Sequence, residues 1–291
     1  MKKVKRVLIM GANGYIGSNL TRYLCDNKEY FVVASSRNNC NIDKRAEFLE
    51  YDLENKLDSP NEFIEIFGIV DICVYLAYRD GFDHNSDMHM NDLSMHWNFI
   101  KHMLDAGVKH ICVAGSFREY GIVNGMASED MICKPINYYA LAKKTLFDAI
   151  NIYINNASQN ICFQWIRPFS VIGDDSRNNS ILSKIITWER EGKKTFPCTK
   201  GDEEYDYIHV SDAVKQIEAI ISQDEVNGII NVCSGIPKSL RDMIEEFLES
   251  NNFRIKPVYG EFKRRPYDSD VIYGDRRKID RIMNKNGKTF G

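Results

Sequence analysis

Two residues of types that do acid–base chemistry, Tyr139 and Lys143, stand four positions apart in the segment 137–143. A helix would place both side chains on one face. A free phenol has a pKa of about 10, and a neighbouring ammonium favours the phenolate, lowering that pKa by roughly 1 to 3 units. The pair therefore predicts proton transfer at neutral pH, although an ordinary amphipathic helix with a solvated Lys143 would look the same. Tyr138 is a poorer candidate because Ala142, not a lysine, follows it by four positions.

A glycine-rich stretch, 11–17, follows the apolar run 7–10. Gly11 permits a sharp strand-to-helix turn, Gly14 lets a pyrophosphate approach the backbone, and Gly17 lets the following helix press against the sheet. A tight structural turn would also select glycines, but the position between a strand and a helix favours a dinucleotide site. The predicted cofactor-binding residues of this turn are Gly11, Asn13, Gly14, Tyr15, Ile16 and Gly17.

The end of the second predicted strand indicates which dinucleotide is bound. Sites that prefer NAD place a carboxylate there, but this chain has Ser35, Ser36 and Arg37. Two hydroxyls and a guanidinium suit a 2′-phosphate through charge-assisted hydrogen bonds. The sequence therefore favours NADP(H) over NAD(H), with a solvated Arg37 in a loop as the alternative.

The elements that must position these residues follow from the hydrophobic pattern. Apolar, β-branched runs alternate with stretches of helical periodicity, which predicts a parallel sheet covered by helices on both faces. The predicted strands are 7–10, 30–34, 70–76, 110–113, 162–167, 205–210 and 229–232. The predicted helices are 16–27, 61–67, 88–106, 138–154, 181–190 and 212–222. The predicted fold class is α/β, a Rossmann-like, doubly wound parallel sheet.

We expect two lobes that interleave in the sequence. Residues 1–168, with 205–232 returning to the same sheet, form the dinucleotide-binding domain. Residues 169–204 and 233–291 form a smaller α/β substrate lobe over the carboxyl edge of the strands, where open α/β sheets bind ligands.

The glycine turn and the Y-x-x-x-K pair together resemble the extended short-chain dehydrogenase/reductase family. Further segments carry the resemblance, in order, over nearly the whole chain. They are Asp52-Leu53, Leu76-Ala77, Gly115-Ser116-Phe117-Arg118-Glu119-Tyr120-Gly121, Arg167-Pro168-Phe169-Ser170-Val171-Ile172-Gly173 and Asp206-Tyr207-Ile208-His209-Val210-Ser211-Asp212. Any one match could be accidental, but the ordered series is hard to obtain by chance.

The resemblance implies hydride transfer to or from a carbonyl carbon. Ser116 would hydrogen-bond the substrate oxygen, Tyr139 would exchange a proton with it, and Lys143 would also hold the nicotinamide ribose. The pair Asp52-Leu53 resembles the family's adenine contact, and Leu76-Ala77 resembles its cofactor motif after the fourth strand. The catalytic residues implied are therefore Ser116, Tyr139 and Lys143.

Within the family, the chain most resembles the nucleotide-sugar branch, whose C-terminal lobe holds a nucleoside diphosphate. The segment Arg265-Pro266-Tyr267-Asp268, with Gly274-Asp275 and Lys278 after it, resembles the late arginine segment of that branch. Arg265 would clamp the diphosphate, or else be a surface cation in the basic run 263–265.

Two positions depart from the branch. Tyr205 stands where many relatives have arginine, which removes one expected phosphate contact. Ser170 stands where asparagine is frequent, which leaves the orientation of the sugar open. The predicted substrate-binding residues are Ser116, Arg118, Tyr139, Ser170, Tyr205 and Arg265.

The implied activity is NADPH-dependent reduction of the C4 keto group of a nucleoside-diphosphate 4-keto-6-deoxy sugar, which would supply a deoxysugar for surface polysaccharide. NADP(H) favours net reduction because an epimerase must recover its hydride and typically keeps NAD bound. An NAD-dependent nucleotide-sugar epimerase is the alternative enzyme. A non-catalytic NADP(H)-sensing module of the same fold is the alternative of another class, and such modules generally lose the tyrosine and lysine.

Composition bounds the other function classes. The chain has 291 residues, with 38 basic against 41 acidic ones and a formal net charge of −3, so it lacks a field that would attract nucleic acid. No apolar run reaches the roughly 18 residues of a membrane span, and the basic segment 1–6 leads into too few apolar residues for a signal peptide. We expect a cytoplasmic protein that binds neither nucleic acid nor membrane.

Cysteines and histidines predict no metal site. The eight cysteines form no C-x-x-C pair and are expected to be buried free thiols. The histidines at 84, 89, 96 and 102 lack the i,i+4 spacing of a zinc site and are expected on the surface or on helix faces.

The resemblance also implies a homodimer. Relatives commonly dimerise through two long helices that correspond to 88–106 and 138–154. Trp97, Ile100, Phe147 and Ile150 would serve that interface or, equally well, the core.

Overall fold

The computed structural model describes residues 3–157, 160–173 and 180–285. Within them the strands are β1 (Lys5–Met10), β2 (Tyr30–Ser36), β3 (Glu47–Glu50), β4 (Ile72–Tyr75), β5 (His110–Ala114), β6 (Gly125–Ala127), β7 (Cys162–Pro168), β8 (Ser170–Ile172), β9 (Thr195–Pro197), β10 (Glu204–His209), β11 (Gly228–Val232), β12 (Pro237–Ser239), β13 (Lys256–Val258) and β14 (Val271–Gly274). The helices are α1 (Tyr15–Cys25), α2 (Pro60–Phe67), α3 (Met88–Asn91), α4 (Leu93–Asp105), α5 (Tyr138–Asn156), α6 (Ile181–Arg190), α7 (Val210–Ile221), α8 (Leu240–Ser250) and α9 (Arg277–Lys285), and Phe117–Tyr120 forms a 3₁₀ turn.

Seven parallel strands form the larger sheet, in the order β3-β2-β1-β4-β5-β7-β11. The order reverses between β1 and β4. Met10 at the end of β1 is in register with Ser35 of β2 and with Tyr75 of β4, so these three strands end at one level. Their following loops meet at the carboxyl edge, where open α/β sheets bind ligands. The predicted Rossmann-like α/β fold is confirmed.

Alternate residues of β1 enter two separate cores, as the period of two of a strand requires. Val7 and Ile9 pack with α1, α7 and α9, whereas Leu8 and Met10 pack with α2, α4 and α5. Each fully buried side chain of this size contributes roughly 1.5–3 kcal/mol. Helices therefore pack on both faces of the sheet and hold its strands in place. The loops at the carboxyl ends of these strands are positioned by the same packing.

Helices α4 and α5, predicted to form a dimer interface, pack on each other and on the second of these cores. Ile100 and Ile150 are fully buried there, so these two residues cannot contact a partner. Trp97 and Phe147 are partly buried against the same core.

The predicted helix 88–106 is interrupted. It divides into α3 and α4 at Asp92, whose carboxylate is held by Arg79 through contacts of 2.6 and 2.7 Å.

Strand β3 was not predicted because its sequence, Glu-Phe-Leu-Glu, has polar ends and only two apolar residues.

A second sheet lies beside the large one. Its strand order is β12-β10-β14-β6, and β8 also pairs with β10. A small pair, β9 and β13, stands with α6 and α8 around their own apolar cluster, which includes Ile185, Phe196 and Ile244.

The structure corrects two features of the predicted lobes, one through strand pairing and one through helix packing. Of the segment 205–232, only β11 joins the large sheet, because the backbone of β10 is already paired with β8, β12 and β14. The C-terminal α9, expected in the substrate lobe, buries Ile279, Ile282 and Met283 in the core beside α1 and α7. The apolar stripe of α9 is covered by this core.

Candidate active site

The glycine turn between β1 and α1 has little room for side chains. Gly11 has a φ of 81°, and a Cβ there would lie 2.7 Å from the Cα of Ala77. A Cβ on Gly17 would lie 2.3 Å from the carbonyl oxygen of Gly11. Gly11 is therefore needed for the turn and for contact with the end of β4, and Gly17 is needed for the close approach of α1.

A cavity of about 280 Å³, here called the turn cavity, lies beside this turn. Most of the predicted cofactor residues line it, namely Gly11, Asn13, Gly14, Ser35, Ser36, Arg37, Asp52, Leu53, Leu76 and Ala77. A second cavity of about 590 Å³, here called the tyrosine cavity, adjoins it and is lined by the remaining four, namely Tyr15, Ile16, Gly17 and Lys143. Gly11 and Gly14 line both cavities, so the two meet at the glycine turn.

The turn cavity fits a dinucleotide. Gly14 is the N-cap of α1 and offers no side-chain cap, and the first turn has no acidic residue, which leaves the positive end of the helix available to an anion. The hydroxyl of Ser35 is buried and has no hydrogen-bond partner among the described residues. The residues of the family motifs would therefore hold the phosphates at the turn and the adenosine beside Asp52 and Leu53.

The predicted 2′-phosphate site is only partly preorganised. Arg37 is exposed at the turn cavity, and no group in the described parts of the chain pairs with its guanidinium. The Ser36 hydroxyl, in contrast, already donates a hydrogen bond to the carbonyl oxygen of Asn38. Of Ser36 and Arg37, it is therefore Arg37 whose N–H donors remain available to a 2′-phosphate.

The tyrosine cavity is lined by every predicted substrate-binding residue: Ser116, Arg118, Tyr139, Ser170, Tyr205 and Arg265. They come from β8, β10, α5, the 3₁₀ turn and the segment before β14. One wall is aromatic, with the rings of Phe117 and Phe169 stacked 5.2 Å apart and Tyr205 edge-on to Phe117.

Ser116 is held by a capping box at the end of β5. Its hydroxyl oxygen accepts a hydrogen bond from the backbone N–H of Arg118 at 3.2 Å, and its own N–H donates to Glu119 at 2.7 Å. The hydroxyl proton is not used in either bond, and the Ser116 hydroxyl is close enough to act on the pKa of Tyr139. Ser116 therefore presents a donor to the tyrosine cavity.

Tyr139 lies in the first turn of α5. Asn137 caps this helix by accepting from the N–H of Ala140 at 2.9 Å, and the N–H of Tyr139 donates to the carbonyl oxygen of His84 at 2.9 Å. Burial raises the pKa of Tyr139, and the hydrogen bond from Ser116 opposes this rise. The phenol therefore stays protonated at neutral pH.

This pKa contradicts the expectation that Lys143 would lower it. The ammonium of Lys143 points elsewhere: it donates to the carbonyl oxygen of Ala114 at 2.6 Å and lies 3.7 Å from the ring centroid of Tyr78, against 5.9 Å for Tyr139. Burial lowers the pKa of Lys143 to about 7, and the Glu119 carboxylate opposes this shift. Lys143 is buried, so the alternative of a solvated lysine is wrong.

A buried ion pair that the sequence motifs did not predict lies behind Ser116. Glu119 and Arg167 are both fully buried, 2.9 Å apart, and the Glu119 carboxylate also accepts from Trp165 at 3.0 Å. A Cβ on Gly115 would lie 2.3 Å from a Glu119 oxygen, so glycine is required there. The signal in the sequence was the S-x-x-E pattern from Ser116 to Glu119.

The two arginines of the tyrosine cavity differ in their partners. Arg118 forms an ion pair of 3.1 Å with Asp268. Arg265 contacts the Nδ1 of His84 at 3.3 Å, and no carboxylate among the described residues pairs with it. Burial and the two arginines lower the pKa of His84 to about 3, so this imidazole is neutral and leaves the Arg265 charge uncompensated.

The histidines were predicted on the surface or on helix faces. His89, His96 and His102 do lie on α3 and α4, but the surface alternative is wrong for three of the four. His84, His89 and His96 are 5%, 1% and 2% exposed. His84 and His89 surround the ring of Tyr139, at 5.6 and 5.2 Å between centroids. The physical reason is that the loop before α4 folds over the N-terminus of α5, which spacing along one helix could not indicate. Of the cysteines, Cys73, Cys112, Cys198 and Cys233 are buried and Cys40 is exposed.

No helix among the described residues is both long and apolar enough to cross a bilayer.

The fold and the site define the class of NAD(P)-dependent oxidoreductases and epimerases that carry a Ser-Tyr-Lys set beside a Rossmann glycine turn. The model of the NAD dependent epimerase/dehydratase family matches residues 7–233. The chain therefore belongs to this family, and the predicted membership of the extended short-chain dehydrogenases/reductases is confirmed.

Particular relatives agree with this membership. A dTDP-6-deoxy-L-talose 4-dehydrogenase (NAD(+)) of Aggregatibacter actinomycetemcomitans is 34% identical over 271 residues, which cover 92% of this chain and 98% of the relative. A GDP-6-deoxy-D-talose 4-dehydrogenase of the same organism is 23% identical over 97% of this chain and 92% of the relative. The solved structure of MoeE5 in complex with UDP-glucuronic acid and NAD superposes with a TM-score of 0.80 at 22% identity, covering 96% of this chain and 92% of that one.

Proposed function

We propose that the protein reduces the C4 keto group of a nucleoside-diphosphate 4-keto-6-deoxy sugar, with NADPH as the reductant and Tyr139 as the proton donor. The observation that carries this proposal is the tyrosine cavity, which Ser116, Tyr139 and Lys143 line together with the glycine turn. Two arginines, Arg118 and Arg265, line the same cavity.

The chemistry divides between the nicotinamide, which supplies a hydride to the carbonyl carbon, and the side chains of this chain. Ser116 donates a hydrogen bond to the carbonyl oxygen and orients it. Tyr139 transfers its phenolic proton to that oxygen as negative charge develops there. Lys143 holds the nicotinamide ribose.

Tyr139 fits the role of proton donor in a reduction. Burial raises its pKa, so the phenol carries the proton that it would donate to the carbonyl oxygen. The 4-dehydrogenase named among the relatives supports the same site of reaction, because a 4-dehydrogenase and a 4-keto reductase catalyse opposite directions of one reaction.

The walls of the cavity support a deoxysugar nucleotide. The aromatic wall of Phe117, Phe169 and Tyr205 offers an apolar surface to the methyl group at C6 of a 6-deoxy sugar. Arg265 has an uncompensated charge and suits the diphosphate through charge-assisted hydrogen bonds.

NADPH is proposed because of Arg37, whose free guanidinium lines the turn cavity where β2 ends without a carboxylate. A 2′-phosphate would receive charge-assisted hydrogen bonds there. NAD remains the competing cofactor, since the 34% identical relative is named for NAD(+).

The experiment is a panel of UDP-, dTDP-, GDP- and CDP-linked 4-keto-6-deoxy sugars offered with NADPH or NADH and followed at the nicotinamide absorbance band. The proposal expects oxidation of NADPH that depends on the keto sugar, with one nucleotide strongly preferred. Reduction of no member of the panel by either cofactor would overturn it.

The same panel distinguishes the alternatives. Protein that carries tightly bound NAD and interconverts two sugar nucleotides without added reductant is an epimerase, an activity that the family description includes. Cofactor binding without turnover of any sugar nucleotide indicates a sensing module.

The proposed cellular role is to supply a deoxysugar for surface polysaccharide. The proposed location of the enzyme is the cytoplasm, where NADPH and nucleotide sugars are available. The proposed assembly is a homodimer through α4 and α5. Leu141 and Ile152 of α5 are 40% and 62% exposed, and they replace the buried Ile100 and Ile150 as its candidate contacts.

A further inference from the structure

Tyr78 lies where the two cavities meet. It follows Leu76 and Ala77 at the carboxyl end of β4, and it lines both the turn cavity and the tyrosine cavity. Its hydroxyl is buried and has no hydrogen-bond partner among the described residues. The contacts that Tyr78 makes within the protein are therefore those of its ring.

The face of this ring is turned to the ammonium of Lys143. The Lys143 Nζ lies 3.7 Å from the ring centroid, which is well within the distance of a cation–π interaction. Lys143 is 4% exposed, so water screens its charge poorly. The negative face of the ring and the carbonyl oxygen of Ala114, at 2.6 Å, replace the lost hydration.

Two imidazole rings fix the Tyr78 ring in turn. The rings of His89 and His96 lie nearly parallel to Tyr78, with centroids 5.5 and 5.0 Å away. His89 contacts the carbonyl oxygen of Asp83 through Nε2, and His96 contacts the hydroxyl of Tyr75 through Nδ1, both at 2.7 Å. We call Tyr78, His89 and His96 the aromatic platform.

His96 adds no charge that would repel the Lys143 ammonium. Burial lowers the pKa of His96 to about 3, so its imidazole is neutral. The titratable groups that face Lys143 are the Glu119 carboxylate, the Tyr78 and Tyr139 phenols and the His96 imidazole. Among them only Glu119 carries a charge at neutral pH, and that charge is shared with Arg167.

We propose that the aromatic platform is a positioning site, in which the face of Tyr78 holds the Lys143 ammonium at the point where the two cavities join. This inference rests on the proposed function, because that function assigns Lys143 to the nicotinamide ribose. Tyr78 acts through Lys143, and its hydroxyl has no part in the effect.

Three substitutions separate the ring from the hydroxyl. Tyr78→Phe keeps the π face and removes only the unpartnered hydroxyl. Tyr78→Leu and Tyr78→Met keep an apolar side chain and remove the π face, and the flexible methionine can refill the space if the leucine variant does not fold. Circular dichroism and thermal unfolding verify that each variant is folded.

Two measurements follow the consequence. The first is steady-state kinetics with direct NADPH binding. We expect Tyr78→Phe to stay within about threefold of wild type, and Tyr78→Leu and Tyr78→Met to lose on the order of 30-fold in kcat/KM for NADPH, the equivalent of about 2 kcal/mol. The KM for the sugar nucleotide should not change.

The second measurement needs no substrate. The Lys143 signal in protein labelled with ¹³C at lysine Cε, assigned by its loss in Lys143→Arg, is titrated by NMR in each variant. Tyr78→Leu and Tyr78→Met should lower the pKa of Lys143. Tyr78→Phe, which keeps the π face, should leave that pKa as in the wild type. If the wild type reduces no sugar nucleotide but the titration behaves as expected, the proposed function fails and the platform stands.

The inference is overturned if the leucine or methionine variant titrates and binds NADPH like the wild type. It is equally overturned if Tyr78→Phe is as impaired as Tyr78→Leu, since the hydroxyl would then be the important group.

Discussion

The carboxylate of Glu119 accepts a hydrogen bond from the backbone N–H of Ser116 at 2.7 Å while it forms a fully buried ion pair with Arg167. The residue that presents a hydroxyl to the tyrosine cavity is thus anchored to a charge at the centre of the fold. Arg167 belongs to β7, so this pair ties the 3₁₀ turn to the carboxyl end of a strand of the large sheet. The position of the Ser116 hydroxyl is consequently set by packing that lies outside the cavity.

Glu119→Gln should therefore lower stability and turnover together. Leaving Arg167 buried without its partner costs about 3–5 kcal/mol, and a displaced Ser116 should lower kcat by about 10- to 100-fold. Chemical denaturation and steady-state kinetics measure the two effects. Glu129→Gln is the matched control, because that partly buried carboxylate accepts from the N–H of Asn231 and lines neither cavity. A Glu119→Gln variant with normal kcat would exclude the positioning role.

Tyr139→Phe should abolish turnover and leave cofactor binding intact. Removing the proton donor costs about 10²- to 10⁴-fold in kcat, while the ring that packs against Tyr78 and His84 remains. Single-turnover reduction and fluorescence titration with NADPH measure the two quantities. Tyr138→Phe, one position away and 45% exposed, should behave like the wild type. Weakened NADPH binding of comparable size in Tyr139→Phe would argue against the assigned role.

The parts of the fold and site that sequence predicts are those with a local signal. The glycine turn, the strand before it and the spacing of Tyr139 and Lys143 each lie within a few residues, so periodicity and motif determine them. The lining of the tyrosine cavity by Arg118 and Arg265 was predictable only through family resemblance, because nearly 150 residues separate the two positions.

The failures have a common physical cause. Whether an ammonium lowers the pKa of a nearby phenol depends on where it points, and Lys143 is drawn to Ala114 and Tyr78 from other elements. The burial of His84 and the pairing of β10 likewise depend on contacts between segments far apart in sequence. Composition and spacing carry no information about such contacts.

Arg37→Ala should change the choice of cofactor. A lost charge-assisted contact to the 2′-phosphate costs about 1.5–3 kcal/mol, which raises the KM for NADPH roughly 10- to 100-fold and leaves the KM for NADH unchanged. Arg45→Ala is the control, because Arg45 pairs with Asp26 and Asp43 and lies outside the turn cavity. Equal effects on both cofactors would remove Arg37 from the phosphate.

Arg265→Ala should weaken the sugar nucleotide selectively. Its charge has no carboxylate partner among the described residues, so its removal costs little stability and raises the KM of the substrate about 10-fold or more. Isothermal titration with the preferred nucleoside diphosphate and with NADPH measures the two affinities. The control is Lys263→Ala, an exposed cation of the same basic run that does not line the cavity. A diphosphate affinity equal to that of the wild type would return Arg265 to the role of a surface cation.

The pH dependence of the reaction should follow Lys143. Burial lowers its pKa to about 7, so the ammonium is present below that pH and is lost as pH rises through it, while the raised pKa of Tyr139 keeps the phenol protonated over the same range. We therefore expect kcat/KM for NADPH, which reports the free enzyme, to fall about tenfold per pH unit above pH 7. Because the Glu119 carboxylate stabilises the ammonium, Glu119→Gln should move this descending limb to lower pH. Lys143→Arg, which stays charged, should remove the limb even if its overall rate is lower. A profile that stays flat to pH 9 in the wild type would mean that Lys143 keeps its proton in the free enzyme.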